Sequence, residues 1–351
     1  MTAQVTRLRP DQRPELWITY GPSVDEPDVL RRVIMAGVDG VRLTFSYGDA
    51  GLQCERAATV KAAAAAAGRA VRVIADLQGE KCRIAKIGDL DQVNVYAGHS
   101  IELTAGTTAG TEGALRLPLQ QADQVALFSV GDVVIAGDGE MMLDVVGTDA
   151  EGVRCVPRED GVLRPGRGLA IQGSNFTPSS MTTKDRKDLR ALLGSVDFDA
   201  VALSFVSGTE AIDEAREEIG ESCGLEVIAK IETAKGVARA GRICADADAV
   251  MAARGDLALS MPWTALATGV ERIAGVAREH SKAWILATQI VESMERFDLP
   301  SRAEICDLSH WLETGAAAVM LSRETAFGTR PVESVAAVAQ LIGARDRRRE
   351  P

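Results

Sequence analysis

Short apolar, β-branched runs alternate along this chain with amphipathic stretches. The runs are Leu16–Gly21, Gly40–Ser46, Ala70–Leu77, Ala200–Phe205, Glu226–Glu232, Ala249–Arg254, Ala283–Gln289 and Ala317–Ser322. Near-continuous apolar runs of this length suit strands buried on both faces of a parallel sheet. The stretches between them carry helical spacing: Pro27–Ala36, Gln53–Ala67, Lys184–Leu193, Thr209–Ile219, Lys235–Cys244, Thr264–His280, Arg302–Glu313 and Pro331–Gly343. Start signals support several. Ser301 with Glu304 three residues on makes a capping-box pattern, Thr183 precedes a charged helix, and Pro331 suits a first turn. Strand after strand, each followed by a helix, predicts an α/β fold of the (β/α)8 TIM barrel type.

One interval breaks the rhythm. From about Ile84 to Ala170 the chain is strand-like, with Gly-Asp turns and no helical period. It reads as a small β-barrel-like lid domain inserted after the third strand. The expected organisation is residues 1–83 as the first part of the barrel, 84–170 as the lid, 171–344 as the second part and 345–351 as a polar tail, with no further domain. Met1 to Pro14 is polar and reads as a frayed leader, neither signal peptide nor anchor.

Composition narrows the partners. With 39 basic against 50 acidic residues the formal charge is −11, and nucleic acid or an anionic membrane would demand a basic face. No run approaches the roughly 20 apolar residues of a membrane span. The six cysteines (54, 82, 155, 223, 244 and 306) are scattered without a CxxC. They read as packing residues in a reducing cytoplasm rather than as a disulfide frame or zinc site.

In such barrels the reacting groups sit at the C-terminal strand ends. Those ends carry Arg42, Thr44 and Ser46; Asp76; Lys230 and Glu232; Arg254-Gly255-Asp256; Thr288-Gln289; and Glu324. Taken singly, a Lys-x-Glu on a strand is a surface salt bridge and an Arg-Gly-Asp a turn. Their convergence at one end reverses that reading, because charges aimed into a barrel mouth are costly unless paired or ligand-bound. Glu232 and Asp256 on adjacent strands suit a hard divalent ion, Mg²⁺ or Mn²⁺. Arg42 and Lys230 add positive charge for an anion. Such a set chelates a 2-oxo acid and stabilises its enolate.

The segments Gly40-Val-Arg-Leu-Thr-Phe-Ser, Val227-Ile-Ala-Lys-Ile-Glu, Met251-Ala-Ala-Arg-Gly-Asp-Leu, Ala287-Thr-Gln, Ser301-Arg-Ala-Glu and Met320-Leu-Ser-Arg-Glu-Thr-Ala together resemble the pyruvate kinase family over nearly the whole chain. The resemblance implies that Glu232 and Asp256 bind the divalent metal. It implies that Lys230 neutralises the transferring phosphoryl group or the enolate oxygen, and that Thr288 lies where a proton reaches the enolate. Arg42 and Arg83 would hold phosphate or carboxylate, and backbone amides around Gly255 and Asp256 the substrate carboxylate. Ser204, Gln289, Tyr47 and Phe327 complete the expected substrate-binding set. The expected ligands are small molecules, a 2-oxo acid or phosphoenolpyruvate. A homo-oligomer in the cytoplasm is consistent with the resemblance.

The departures cluster. The family's Asn-Phe-Ser-His-Gly is here Thr44-Phe-Ser-Tyr47-Gly, and its Asp-Thr-Lys-Gly-Pro-Glu-Ile-Arg is Asp76-Leu-Gln-Gly-Glu-Lys81-Cys-Arg83. Its Gly-Glu-Thr-Ala-Lys-Gly is Arg323-Glu-Thr-Ala-Phe327-Gly, and the Arg after Ser-Phe-Val is Ser207; the family's C-terminal regulatory domain is expected to be missing. The lost residues belong to the nucleotide side, and each missing charge-assisted hydrogen bond forfeits about 1.5–3 kcal/mol. Ser46, Asp76, Thr44 and Lys81 fall at the family's monovalent-cation site, with the Lys81 ammonium as a tethered substitute, so K⁺ is expected to be dispensable. The expected activity is therefore metal-dependent handling of the enolate of pyruvate or a related 2-oxo acid, with aldolase- or lyase-type carbon–carbon chemistry. The alternative is phosphotransfer between phosphoenolpyruvate and ADP or another acceptor. A non-catalytic binding protein ranks third, since the costly metal carboxylates remain.

Overall fold

A computed structural model describes residues 7–106, 115–137, 139–150, 152–172, 181–195, 197–220 and 224–349; Cys223 lies outside them. Chain contacts divide the protein into two units. The first comprises Met1–Gly79, Thr177–Gly255 and Ala267–Pro351, and the second Glu80–Phe176 with Asp256–Leu266.

The first unit is a closed ring of parallel strands: β1 (Glu15–Thr19), β2 (Gly40–Thr44), β3 (Arg72–Asp76), β4 (Ala200–Leu203), β5 (Glu226–Ile231), β6 (Ala249–Ala253), β7 (Ala283–Ala287) and β8 (Ala318–Met320). Each pairs with its chain neighbours and β8 closes on β1, with Trp17 opposite Met320 and Thr44 opposite Asp76 in register. Alternating strand residues fill the interior, where Ala200, Ala202, Ala249, Ala253, Ala283, Ala287 and Ala318 leave room for Trp17, Met251 and Met320. The close fit needs Gly40, because a Cβ there would lie 2.5 Å from the Trp17 ring.

The helices are α1 (Pro27–Met35), α2 (Ala50–Ala66), α3 (Thr183–Leu192), α4 (Glu210–Ile219), α5 (Ala234–Ala238), α6 (Ala240–Asp246), α7 (Arg254–Ser260), α8 (Leu266–Glu279), α9 (Arg302–Glu313), α10 (Arg323–Ala326) and α11 (Pro331–Arg349). The Ser301–Glu304 capping box forms as expected. Four expectations shift. Thr182, not Thr183, caps α3, in a capping box with Asp185. The single helix expected over Lys235–Cys244 breaks at Arg239, whose ψ of 10° ends α5 and starts α6. The tail expected from Arg345 is helical to Arg349, and Arg345 is buried. The strands stop short of the predicted ends: Phe205, Thr288 and Gln289 adopt positive φ, and Arg254 already opens a helix.

The closed end of the barrel carries charges that apolar patterning does not foresee. Arg72 is 2% exposed and ion-paired to the buried Glu226. Its Nε lies 3.4 Å from Glu15, and its guanidinium sits over the Trp17 ring. Burial pushes the Glu226 and Glu15 carboxyls up, with Arg72 opposing the shift.

The second unit contains a six-stranded sheet in the order Leu169–Ile171, Val133–Ala136, Met141–Thr148, Gly152–Pro157, Ile101–Thr104 and Leu115–Pro118, plus a pair formed by Gly161–Leu163 and Val93–Val95. Its core includes Ile84, Leu103, Leu117, Val134, Leu143 and Val153. A 3₁₀ turn at Ala122–Leu127 interrupts the strand pattern. Residues Asp256–Leu266, from the barrel's own sequence, also belong to this unit.

Burial pushes the thiols of Cys82 and Cys155 up to about 12 and that of Cys244 to about 11, as expected of packing residues. Cys306 is exposed and does not pack. Among the described residues no helix is long and apolar enough to cross a membrane.

Candidate active site

Within the first unit, the mouth of the barrel gathers four expected side chains, Arg42, Lys230, Ser204 and Glu232, around the carboxylate of Asp76. Asp76, 2% exposed at the end of β3, accepts from Arg42 Nε at 2.6 Å. On its other oxygen it meets Lys230 Nζ at 3.0 Å. Lys230 also donates to Ser204 Oγ at 2.7 Å and lies 3.3 Å from Glu232 Oε1. Ser204 in turn donates to the Leu77 carbonyl at 2.7 Å. Glu232 Oε2 accepts the Phe205 amide at 2.7 Å, an amide aimed by Phe205's φ of +57°. Gly79 permits the packing beside them: its φ is +67°, and a Cβ there would meet Ser204 Cβ at 2.6 Å.

Burial pushes Asp76 up, yet Arg42 and then Lys230 outweigh it and hold the carboxyl below its ordinary value. Burial likewise pushes Lys230 down, and Asp76 and Glu232 reverse that and hold the ammonium above its ordinary value. Asp76 and Lys230 therefore both stay charged across neutral pH. Asp76 contributes stability above its unfolded pKa that is lost as pH falls through the folded one. Lys230 contributes stability below its unfolded pKa that is lost as pH rises through its folded one.

At the next strand ends, Gly255 N donates to Thr288 Oγ1 at 2.8 Å. The Gly255 amide, one of those expected to hold the substrate carboxylate, is thus bonded to the Thr288 hydroxyl. Thr288 (φ +71°) and Gln289 (φ +51°) are consecutive residues in the left-handed region, a strain of about 1–3 kcal/mol each. Arg254 Nη2 donates to both their carbonyls, at 2.8 and 2.9 Å. Glu324, 1% exposed, accepts from the amides of Ile290, Val291 and Ser322 and so ties the β7 and β8 loops together.

In the second unit, Lys81 Nζ lies 2.5 Å from Asp256 Oδ1. The sequence grouped Lys81 with Asp76. The structure instead gives Asp256 as its ion-pair partner, and the cations on Asp76 are Arg42 and Lys230. Arg83, also in this unit, donates to the Gly166 carbonyl at 3.0 Å.

A family model described as pyruvate kinase, barrel domain, matches residues 12–335. The chain belongs to the pyruvate kinase family. Relatives agree. The pyruvate kinase of Mycobacterium tuberculosis (strain CDC 1551 / Oshkosh) is 33% identical over 334 residues, 94% of this chain and 70% of the relative. That of Thermococcus litoralis is 32% identical over 97% of this chain and 71% of its own length. The crystal structure of pyruvate kinase from Pyrobaculum aerophilum superposes with a TM-score of 0.83 at 26% identity, covering 97% of this chain and 74% of that one. These matches favour the phosphotransferase alternative over the expected aldolase or lyase chemistry.

Against the family frame, the remaining expected residues divide. Thr44 and Ser46 close the end of β2, where the Ser46 amide donates to Thr44 Oγ1 at 3.4 Å and the buried Gln53 holds the carbonyls of Thr44 and Tyr47. Tyr47 and Phe327 are 60% and 55% exposed, unlike the charged groups buried nearby. Gln289 is exposed. Sequence reasoning missed the roles of Arg254, Asp307 and Glu324. Arg254 and Glu324 stood at strand ends but had no readable partners. Asp307 lies 53 residues from Arg254, and nothing local marks the pair.

Proposed function

We propose that this protein transfers a phosphoryl group between phosphoenolpyruvate and an acceptor of the ADP class. The observation that supports it is Lys230, a fully engaged ammonium buried among Asp76, Glu232 and Ser204. Its three N–H donors are all occupied, and the longest contact, to Glu232, is the one an anionic oxygen replaces most readily. A fixed ammonium in a water-poor mouth stabilises developing negative charge without reorganising. Lys230 would face the transferring group or the enolate oxygen, with Arg42 as a further anion holder.

Glu232 and Asp256 each offer carboxylate oxygens only, donor chemistry that suits a hard divalent cation. Among the described residues no cluster of three or more His, Cys, Asp or Glu is poised to hold a metal, so a cation here would take further oxygens from substrate and water. When bound, Mg²⁺ or Mn²⁺ would supply electrophilic assistance to the substrate oxygens. Glu232→Gln keeps the shape and removes the charge. It is expected to raise the divalent-ion requirement or lower turnover by at least about 10–100-fold, the range that even outer contacts of a metal site command. A Mg²⁺ titration of phosphoenolpyruvate turnover measures it.

Asp76 already carries two covalently tethered cations, which supports activity without a monovalent ion. Equal rates in KCl and in tetramethylammonium chloride at matched ionic strength are expected. Several-fold activation by KCl would contradict this. On the acceptor side, exposed Tyr47 and Phe327 offer aromatic faces instead of charges, which supports an acceptor bound more by stacking than by ion pairs. A coupled assay for ADP-dependent pyruvate formation with Mg²⁺ or Mn²⁺ tests the whole reading. Pyruvate methyl-proton exchange with no phosphotransfer to any acceptor would return the carbon–carbon reading to first place.

A further inference from the structure

The end of β7 holds two adjacent non-glycine residues in a conformation that L side chains rarely adopt, Thr288 and Gln289. Such backbone persists only where its surroundings over-determine it. Here one guanidinium does so. Arg254 Nη2 binds both carbonyls of the strained pair, and Nη1 lies 2.5 Å from Asp307 Oδ2. The other Asp307 oxygen accepts the indole N–H of Trp311 at 2.7 Å. Trp311 is buried and packs edge-on against Trp284, with ring centres 6.0 Å apart. Trp284 is itself a β7 residue, so the circuit runs from β7 through α9 and Arg254 back to the end of β7. The amide following Arg254, that of Gly255, then donates to Thr288 Oγ1. The hydroxyl is an acceptor in that bond and keeps its own proton to donate.

We propose that Arg254 and Asp307 are positioning residues that aim the Thr288 hydroxyl into the barrel mouth, and so govern the proton-transfer half of the reaction separately from phosphoryl transfer. This deepens the reading above and rests on it for the identity of the substrate. In that half-reaction the enolate carbon of pyruvate gains a proton: a C–H bond forms, the donor's O–H bond breaks, and the donor oxygen is reprotonated from water. Arg254 touches none of the reacting atoms. A lysine at 254 cannot reproduce its role, since one ammonium lacks the planar fork that spans two carbonyls and a carboxylate.

The test compares Asp307→Ala, Arg254→Met, Arg254→Lys and Thr288→Val in two assays. One is exchange of pyruvate methyl protons in D₂O with Mg²⁺, followed by NMR. The other is steady-state turnover of phosphoenolpyruvate with ADP. Asp307→Ala and both Arg254 variants are expected to slow exchange by about 10–100-fold, as small misplacements of reacting groups do. The KM for phosphoenolpyruvate should stay unchanged. Asp307→Ala combined with Thr288→Val should be no slower in exchange than Thr288→Val alone. Multiplying effects, or rescue by Arg254→Lys, overturn the proposal. If Asp307→Ala does not fold, Asp307→Asn is read in the same way. Absence of both activities in the unsubstituted protein sinks the proposed function instead. The positioning claim is then decided by a crystal structure of the Asp307 variant. Departure of Thr288 and Gln289 from positive φ supports it, and an unchanged turn with Gly255 N still on Thr288 Oγ1 overturns it.

Discussion

Lys230→Met is expected to leave a folded protein whose turnover of phosphoenolpyruvate falls by about 10²–10³-fold, the loss that follows removal of one preorganised donor at a developing charge. Methionine occupies similar volume, so the fall reads the ammonium and not the packing. The remaining site should hold its shape. Asp76 keeps both Arg42 contacts, and Glu232 keeps the Phe205 amide. Lys230→Arg should not restore the rate, because a planar guanidinium cannot reach Asp76, Glu232 and Ser204 from the place of a single nitrogen. Steady-state kinetics with urea unfolding alongside separates the outcomes. A kcat within a few-fold of the unsubstituted protein, at undiminished stability, would remove Lys230 from the chemistry. Loss of kcat with KM little changed would place its effect in the transition state.

Glu226→Ala is expected to have the largest effect on stability, about 3–5 kcal/mol, because it strands the charge of Arg72 inside the closed end of the barrel. Arg72 would lose its shortest ion pair and keep the longer contact to Glu15, and the Leu8 amide would lose its acceptor. Urea titration followed by circular dichroism measures the change. The double replacement Arg72→Met with Glu226→Leu should recover most of it, since an apolar pair of similar volume removes both desolvation costs. Activity of the folded protein should hardly change in either variant: Arg72 opens β3 and Glu226 opens β5, at the strand ends opposite those bearing Asp76 and Lys230. A loss of less than about 1 kcal/mol in the single variant would mean that the pair is solvated in solution.

These residues show how far the sequence could be read. Asp76, Lys230 and Glu232 were visible because a charged residue closing an apolar strand run is costly, and the barrel rhythm assigns all such closings to one end. Arg72 and Glu226 were hidden because the same logic treats the openings of strands as mere boundaries. Lys81 illustrates a different limit. Its type and its neighbourhood in the chain invited a place beside Asp76, but a lysine's partner is set by where its long side chain lands, and it lands on Asp256. Arg254 stood in plain view within Arg-Gly-Asp and still had no legible role. The carbonyls it holds belong to residues 34 and 35 positions away, and its carboxylate to a helix beyond them.

By itself the order of residues determined the alternation of strand and helix, the inserted β unit, and the family motifs, because periodic burial and short capping patterns are local and survive in one dimension. The tertiary structure alone decided which cation meets which carboxylate, where strands end in left-handed turns, and which amides are already bonded. Those are contests among partners distant in the chain, settled by distance and desolvation once the ring has closed.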